Sequence, residues 1–451
     1  MIAPALQALF QSFGNLFQSR FFRSGLGSAA IRIAGLALSL GLSVFLARVM
    51  GAEGLGLYSL AFAAISLLGL PVQMGMPSLI LRETARANAT EDWPLLRGLW
   101  GWITRRILGL SFVIILTAAL AVTLWPGLIT PAARPAFLIG LPLVPVIALA
   151  TARSSALQGL GKTMPSQIPE AILRPIFLIA LAGVAYLSAG RTLSAGTMIS
   201  LHLIAALGAF CVGAVLLLRM RPVASRQVRE RRTESSAWRA AIWPLALIAS
   251  AQSVMANADF LMLGWWRDAA EVGQYKVATS GGSLCALGLG VVVLMINPRI
   301  AALHRTSETS RMSRLAAQGA GAAFMLALPI FLIFIFWAGP ILGLIYGTSY
   351  EPAAQTLVLL AAAQTVNAFF GSCVGLLNMT GHEKKAMNGF FLSTIMNVAL
   401  NALLIPTMGP EGAALATLCS TAVWNFLLWR AAKRLLGVDS SVMGLLRTRA
   451  V

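Results

Sequence analysis

Long apolar runs alternate with short polar segments along almost the entire chain. A helix needs about 20 apolar residues to cross the hydrocarbon core of a bilayer. Runs of that kind fall at approximately 24–50, 55–81, 102–125, 135–160, 166–189, 194–218, 241–266, 272–298, 315–337, 351–379, 386–408 and 411–434. About twelve transmembrane helices are therefore predicted, so the fold class is all-α integral membrane. The second and tenth runs are candidates for kinked helices, and Pro71 and Pro77 interrupt the second. Ahead of the first run, Leu6, Leu9, Phe10, Phe13 and Phe17 recur at helical spacing among Gln, Ser and Asn. That pattern predicts an amphipathic segment over 1–23 lying in the membrane interface. It is not a signal peptide, which would carry a basic n-region and a continuous apolar core.

The charges then orient the spans. Of the 34 Lys and Arg residues, 27 fall on one side when assigned loop by loop, five on the other, and Arg32 and Arg174 stay inside spans. Arg-rich loops face the cytoplasm, which places both termini there. The organisation expected is a six-helix lobe over 24–218, a basic cytoplasmic linker over 219–240, a second six-helix lobe over 241–434 and a cytoplasmic tail over 435–451. The net charge of +19 would suggest a polyanion partner in a soluble protein. Here 58% of residues are hydrophobic and only 11% charged, and the basic residues lie between spans, so no nucleic-acid partner is expected. The four cysteines lie inside apolar runs without metal-ligand spacing, and no P-loop, HExxH, nucleophile elbow or Asp-x-Asp motif occurs. The chain reads as a non-enzyme.

The two halves repeat. Glu53 followed by Gly56-Leu57-Tyr58-Ser59-Leu60-Ala61 matches Glu271 followed by Gly273-Gln274-Tyr275-Lys276-Val277-Ala278, offset by 217 positions. Leu157-Gln158-Gly159-Leu160-Gly161-Lys162 pairs with Leu377-Asn378-Met379-Thr380-Gly381-His382, offset by 220. A repeat of six spans puts both halves the same way up, with a substrate path between them.

The stretch Ala47-Arg48-Val49-Met50-Gly51-Ala52-Glu53-Gly54-Leu55-Gly56-Leu57-Tyr58, with Arg82-Glu83-Thr84-Ala85, Asn257-Ala258-Asp259, Val272-Gly273-Gln274-Tyr275, Asn297-Pro298-Arg299-Ile300 and Gly409-Pro410-Glu411-Gly412-Ala413-Ala414, resembles the polysaccharide-unit flippase family of the multidrug/oligosaccharidyl-lipid/polysaccharide exporter superfamily. The likeness runs over about residues 20–435. The signature loop of the major facilitator superfamily, the other family with this span pattern, is missing. The resemblance implies a V-shaped two-lobed fold of the MATE type. It also implies a lipid-linked oligosaccharide, usually on undecaprenyl pyrophosphate, carried from the inner to the outer leaflet of a bacterial inner membrane. A polysaccharide polymerase and a chain-length regulator are the implied partners, and a monomer is expected. Two competing readings are a multidrug exporter of the same superfamily and an integral-membrane polysaccharide polymerase or ligase. The first would favour an acidic cavity and the second a large outer loop, and the sequence offers neither.

Ionisable groups inside spans cost about 2.5–3.5 kcal/mol each on insertion scales, so each needs a reason. Arg32 sits on a small polar stripe with Ser28, Gly35, Ser39 and Ser43, and a cavity wall accounts for both. Its planar fork suits a pyrophosphate; snorkelling to the headgroups is the alternative. Glu170 and Arg174, four apart and flanked by Pro169 and Pro175, share a helix face. They read either as a self-neutralised pair holding a proline-kinked helix or with Arg174 as a second phosphate contact, released when Glu170 is otherwise engaged. Asp259, with Asn257 nearby, is a candidate Na⁺ or H⁺ coupling site, with a structural hydrogen bond between helices as the alternative, and Asn367 lies on a second polar stripe. Beyond a coupling Na⁺ or H⁺, no cofactor is expected. Tyr350 is a candidate for sugar contact.

Overall fold

The structure, a computed structural model, describes residues 20–448 except 74, 126, 128, 191 and 229. The amphipathic segment expected over 1–23 therefore lies almost wholly outside the described residues. The helices of the first half are α1 (Arg20–Leu68), α2 (Leu70–Gln73), α3 (Met76–Ala89), α4 (Trp93–Leu124), α5 (Arg134–Gly140), α6 (Leu143–Gly159), α7 (Thr163–Ile168), α8 (Arg174–Ala189) and α9 (Ala195–Met220), with a π turn at Pro169–Leu173. A short α10 (Val223–Gln227) in the linker leads to α11 (Ser235–Trp266), α12 (Ala269–Gly282), α13 (Leu287–Arg305), α14 (Thr309–Ile345), α15 (Ala354–Phe370), α16 (Cys373–Met379), α17 (Glu383–Met408), α18 (Pro410–Leu436) and α19 (Val442–Thr448). No strand occurs among the described residues.

Among the described residues nine helical stretches are long and apolar enough to cross a membrane, or ten if the bent pair α5–α6 is one span. The first stretch holds two of the predicted runs. The chain turns at Gly51, where φ is +70° and ψ 177°, so α1 has two arms. The second predicted run ends early: α1 stops at Leu68, and Pro77 opens α3 at its first turn, a place where the missing N–H costs nothing. The tenth breaks at Gly371 between α15 and α16.

The repeat holds at the level of backbone. Gly161 and Gly381 both take left-handed φ, and Lys162 N and His382 N each donate back to the carbonyl five residues earlier. Among the described residues the non-glycine positions with positive φ are Glu91 and Ser307, offset by 216, each again followed by such a bond. The first lobe packs α3 on α6 and α6 on α9; the second packs α17 on α18, α14 on α15 and α15 on α18.

The lobes meet chiefly where the second arm of α1 crosses α12. A Cβ on Gly56 would stand 1.6 Å from the Ala269 carbonyl oxygen, and one on Gly273 would stand 2.0 Å from that of Ala52. The contact is reciprocal under the offset of 217, as a two-fold relation between the lobes requires. Small residues are what permit such close helix approach in a membrane.

At the end opposite the arginine-rich loops the lobes are tied. Ser43 Oγ donates to Ser280 Oγ at 3.0 Å. Arg48, on the first arm of α1, donates through Nε to the Ile345 carbonyl at 2.9 Å and also to that of Leu344, capping the end of α14. Tyr350 Oη donates to the Ala47 carbonyl at 3.2 Å. Tyr350 is only 1% exposed, so this residue closes the lobes together instead of facing sugar.

Candidate functional site

A cavity of about 420 Å³ lies in the first lobe between α1, the π turn with α8, and α9. Its polar lining is Arg32, Ser39, Glu170, Arg174 and His202, backed by Gly35, Ala171 and Leu178. Three of the candidate site residues, Arg32, Glu170 and Arg174, are thus brought into one space. Arg32, Gly35 and Ser39 reach it from one face of α1, and Gly35 lets that helix approach the π turn, since a Cβ there would already be 3.1 Å from Ala171 Cβ. Ser28 has no described side chain, and Ser43 lies beyond the cavity at the tie to Ser280. The Arg32 guanidinium makes no ion pair or hydrogen bond among the described residues.

Glu170 organises the other wall. Its Oε2 lies 3.4 Å from Arg174 Nη1, and its Oε1 lies 3.3 Å from Arg153 Nη2. The expected pair is therefore a triad with two arginines. Arg153 falls inside the predicted run 135–160 yet belongs to the 27 basic residues counted on the cytoplasmic side, and the structure corrects that count. α6 continues to Gly159, which holds Arg153 inside the lobe with its side chain 4% exposed. There Nη1 also donates to the Ala209 and Phe210 carbonyls. Gly213 supplies the room, because a Cβ at that position would fall 1.1 Å from the guanidinium. A buried guanidinium without such partners would be strongly destabilising. The π turn falls on Glu170, and local π geometry of this kind is common at functional sites.

His202 was not singled out by the sequence, where it is a lone histidine on an apolar helix. Its Nδ1 lies 2.7 Å from Tyr58 Oη, and its ring stacks on Phe62 at 5.1 Å. The Nε2 atom is buried without a protein partner at the cavity wall. The repeat tyrosine was the one available signal: Tyr58 follows Gly56 by two residues, and its counterpart Tyr275 follows Gly273 in the same way.

Tyr275 leads to a second polar cluster, in the other lobe. Its Oη donates to Asp259 Oδ2 at 2.6 Å, Thr417 Oγ1 donates to the same oxygen at 3.0 Å, and Asn401 Nδ2 donates to Oδ1 at 2.6 Å. Asn401 Nδ2 also meets Asn397 Oδ1 at 3.1 Å, while Asn401 Oδ1 is buried without a partner. The candidate pairing of Asp259 with Asn257 is corrected by this geometry. Asn257 Nδ2 donates to the Ser253 carbonyl of its own helix at 2.9 Å, the usual fate of an amide that finds no neighbour across the bundle. Asn367, on α15, makes no hydrogen bond to the cluster. Asn397 and Asn401, four apart on one predicted run, were the legible signal that was missed. No group of three or more His, Cys, Asp or Glu side chains suited to a metal occurs among the described residues. The carboxylate and the Thr417 hydroxyl share one centre, and Asn401 turns its Nδ2, not its oxygen, toward it.

These features define a class: two pseudo-symmetric helical lobes, a charged cavity in one and a buried carboxylate in the other. The same fold occurs in an inward-facing multidrug resistance MATE family transporter of the MOP superfamily, with a TM-score of 0.73 at 14% identity over 91% of this chain and 98% of that one. It occurs also in the lipid II flippase MurJ in an inward closed conformation, with a TM-score of 0.70 at 14% identity over 91% and 87%. The family described as polysaccharide biosynthesis protein matches residues 24–304, and the chain belongs to that family. Two Haloferax volcanii proteins are similar over part of their length. The probable low-salt glycan biosynthesis flippase Agl15 is 26% identical over 168 residues, 37% of this chain and 35% of that one. The probable flippase AglR is 29% identical over 176 residues, 38% and 37% respectively. The chain thus matches little more than a third of the length of these curated relatives.

Proposed function

We propose that this protein is a flippase that turns a polyprenyl-pyrophosphate-linked oligosaccharide from the inner to the outer leaflet of a bacterial inner membrane, by alternating access, for surface polysaccharide synthesis. The observation that carries the reading is the charge of the first-lobe cavity. Arg32 faces it with no partner among the described residues, and Arg174 shares Glu170 with the buried Arg153. A cavity with an unspent guanidinium attracts an anion and repels the cations that many multidrug exporters carry. Planar guanidinium groups bind phosphate in bidentate fashion, and the unpartnered His202 Nε2 offers a further contact. The relatives whose printed names call them flippases support the same class of activity. A polymerase or ligase reading has no support of this kind: among the described residues, His202 is bonded to Tyr58 and Glu170 to two arginines, not to Ser39.

Transport needs a ligand that binds one state better than another. With the lobes tied at Ser43–Ser280 and Arg48–Ile345, the structure is closed at the end we assign to the outside. A pyrophosphate drawn in by Arg32 would compete with Glu170 for Arg174, which loosens the wall formed by the π turn. A coupling cation would be held by Asp259 and Thr417, where it supplies positive charge in the opposite lobe.

The test is Arg32→Ala in liposomes loaded with a fluorescent polyprenyl-pyrophosphate oligosaccharide. Flipping should be abolished while the protein stays inserted, and Arg32→Lys should rescue it only in part, because lysine keeps the charge but loses the fork. Normal flipping by Arg32→Ala would overturn the role of the cavity.

A further inference from the structure

A second basic cavity, sharing no residue with the first, lies at the arginine-rich end of the same lobe. It measures about 380 Å³ and is lined by Arg97, Trp100, Thr104 and Arg105 of α4, by Arg221 just after α9, and by Arg231 of the linker. Three carboxylates close by are already engaged: Asp92 with Arg232, Glu83 with Arg82 and Arg86, and Glu234 with Arg86 and Arg232. Glu230, beside Arg231 in the linker, is exposed and does not line the cavity. No ion pair joins Arg97, Arg105, Arg221 or Arg231 to any carboxylate among the described residues. Arg221 Nε is shielded from solvent with no hydrogen-bond partner. Gly98 lets the linker come close, since a Cβ there would stand 1.8 Å from the Arg232 carbonyl oxygen. Four guanidinium groups are thus gathered around a space that holds no negative charge.

What lies beside that space decides the occupant. Thr104 stands at the start of a stripe on α4 that continues at intervals of four through Leu108, Phe112, Leu116 and Leu120, which are 49%, 69%, 50% and 47% exposed. Large apolar side chains left open on a span face acyl chains. The apolar ridge begins one turn from Thr104, at the edge of the arginine cluster, and winds gradually around the helix toward Leu120. A free phosphate has no use for such a surface, whereas a phospholipid has a use for both parts.

We propose that this pocket is a binding site for an anionic glycerophospholipid of the arginine-rich leaflet, its phosphate held among Arg97, Arg105, Arg221 and Arg231 and an acyl chain lying along Leu108–Leu120. Basic pockets between spans on the cytoplasmic side recognise lipid headgroups in this manner. Because Arg231 belongs to the segment that precedes α11, an occupied pocket fastens the linker to the first lobe.

Native mass spectrometry of the purified full chain tests the proposal, with phosphatidylglycerol, cardiolipin, phosphatidylcholine, undecaprenyl pyrophosphate and inorganic pyrophosphate as separate probes. Phosphatidylglycerol or cardiolipin should remain bound at collision energies that strip phosphatidylcholine. A basic residue near an anionic membrane contributes roughly 1 kcal/mol, which is about fivefold in retention, so Arg97→Gln/Arg221→Gln should weaken it by about 25-fold. Arg97 also bonds the Val228 carbonyl. Arg105→Gln is therefore the second variant, since Arg105 Nε bonds only the Gly101 carbonyl of its own helix; it should lose about fivefold. Equal retention of phosphatidylcholine, or retention unchanged in both variants, overturns the proposal. Tight binding of inorganic pyrophosphate without lipid would make the pocket a free-anion site, and preference for undecaprenyl pyrophosphate would assign it to the transported substrate.

Discussion

At the crossing of α1 and α12, Gly56→Ala sets a methyl group 1.6 Å from the Ala269 carbonyl oxygen. The helices must separate by about 1.4 Å to bring that contact out to 3.0 Å. The obstacle is backbone within a helix, so no rotamer change relieves it. Overpacking of this kind costs about 1–3 kcal/mol. Since 1.4 kcal/mol is tenfold in an equilibrium, the closed arrangement should lose about five- to 150-fold in population against any state in which the crossing is looser. The Ser43–Ser280 contact supplies the reporter. Cysteines at both positions, in a chain whose Cys211, Cys285, Cys373 and Cys419 are replaced, can be bridged by a short bifunctional thiol reagent. Adding Gly56→Ala should slow bridging as the closed fraction falls, by up to the full change in that ratio, and Gly273→Ala, which meets the Ala52 carbonyl at 2.0 Å, should do the same. Unchanged bridging in a stably inserted variant refutes the reasoning, because the crossing would then be a pivot common to both states.

Three further outcomes are expected. Asp259→Asn should bind the lipid-linked substrate but lose the response of liposome flipping to a Na⁺ or H⁺ gradient, since the Asp259 carboxylate centres a cluster remote from the arginine cavity; full gradient dependence in the variant would reduce Asp259 to a structural role. Cysteine labelling should find the linker at 219–239 in the cytoplasm and residues 127–134 outside, and an outside position for Arg226 would invert the assignment. Asp439 lies beyond the last span; burial alone would raise its pKa, but hydrogen bonds from Trp429 and Ser441 and the charge of Lys433 hold it below the ordinary 3.8. Its contribution is therefore complete above that value and lost as pH falls through the lower native one. In thermal unfolding, Asp439→Asn should sit below the parent at neutral pH and converge on it below about pH 3.8.

The sequence by itself determined the helical membrane class, the repeat and the arginine stripe of the first span. Each is written in local spacing: apolar length, the offset between Gly56-x-Tyr58 and Gly273-x-Tyr275, and the helical period of Arg32, Gly35 and Ser39. Partnerships across the bundle are not written that way. Nothing within a few residues of Arg153 says that Gly213, sixty positions on, leaves room for its guanidinium, or that Glu170 reaches it. Asn257 stands nearest Asp259 in sequence, yet the carboxylate is met by Tyr275, Asn401 and Thr417 from three other helices. Side chains on one helix are fixed by a period of 3.6, while contacts between helices depend on rotation and depth, which only packing sets. His202 became part of a site in the same way, when α9 turned it toward Tyr58 and the cavity.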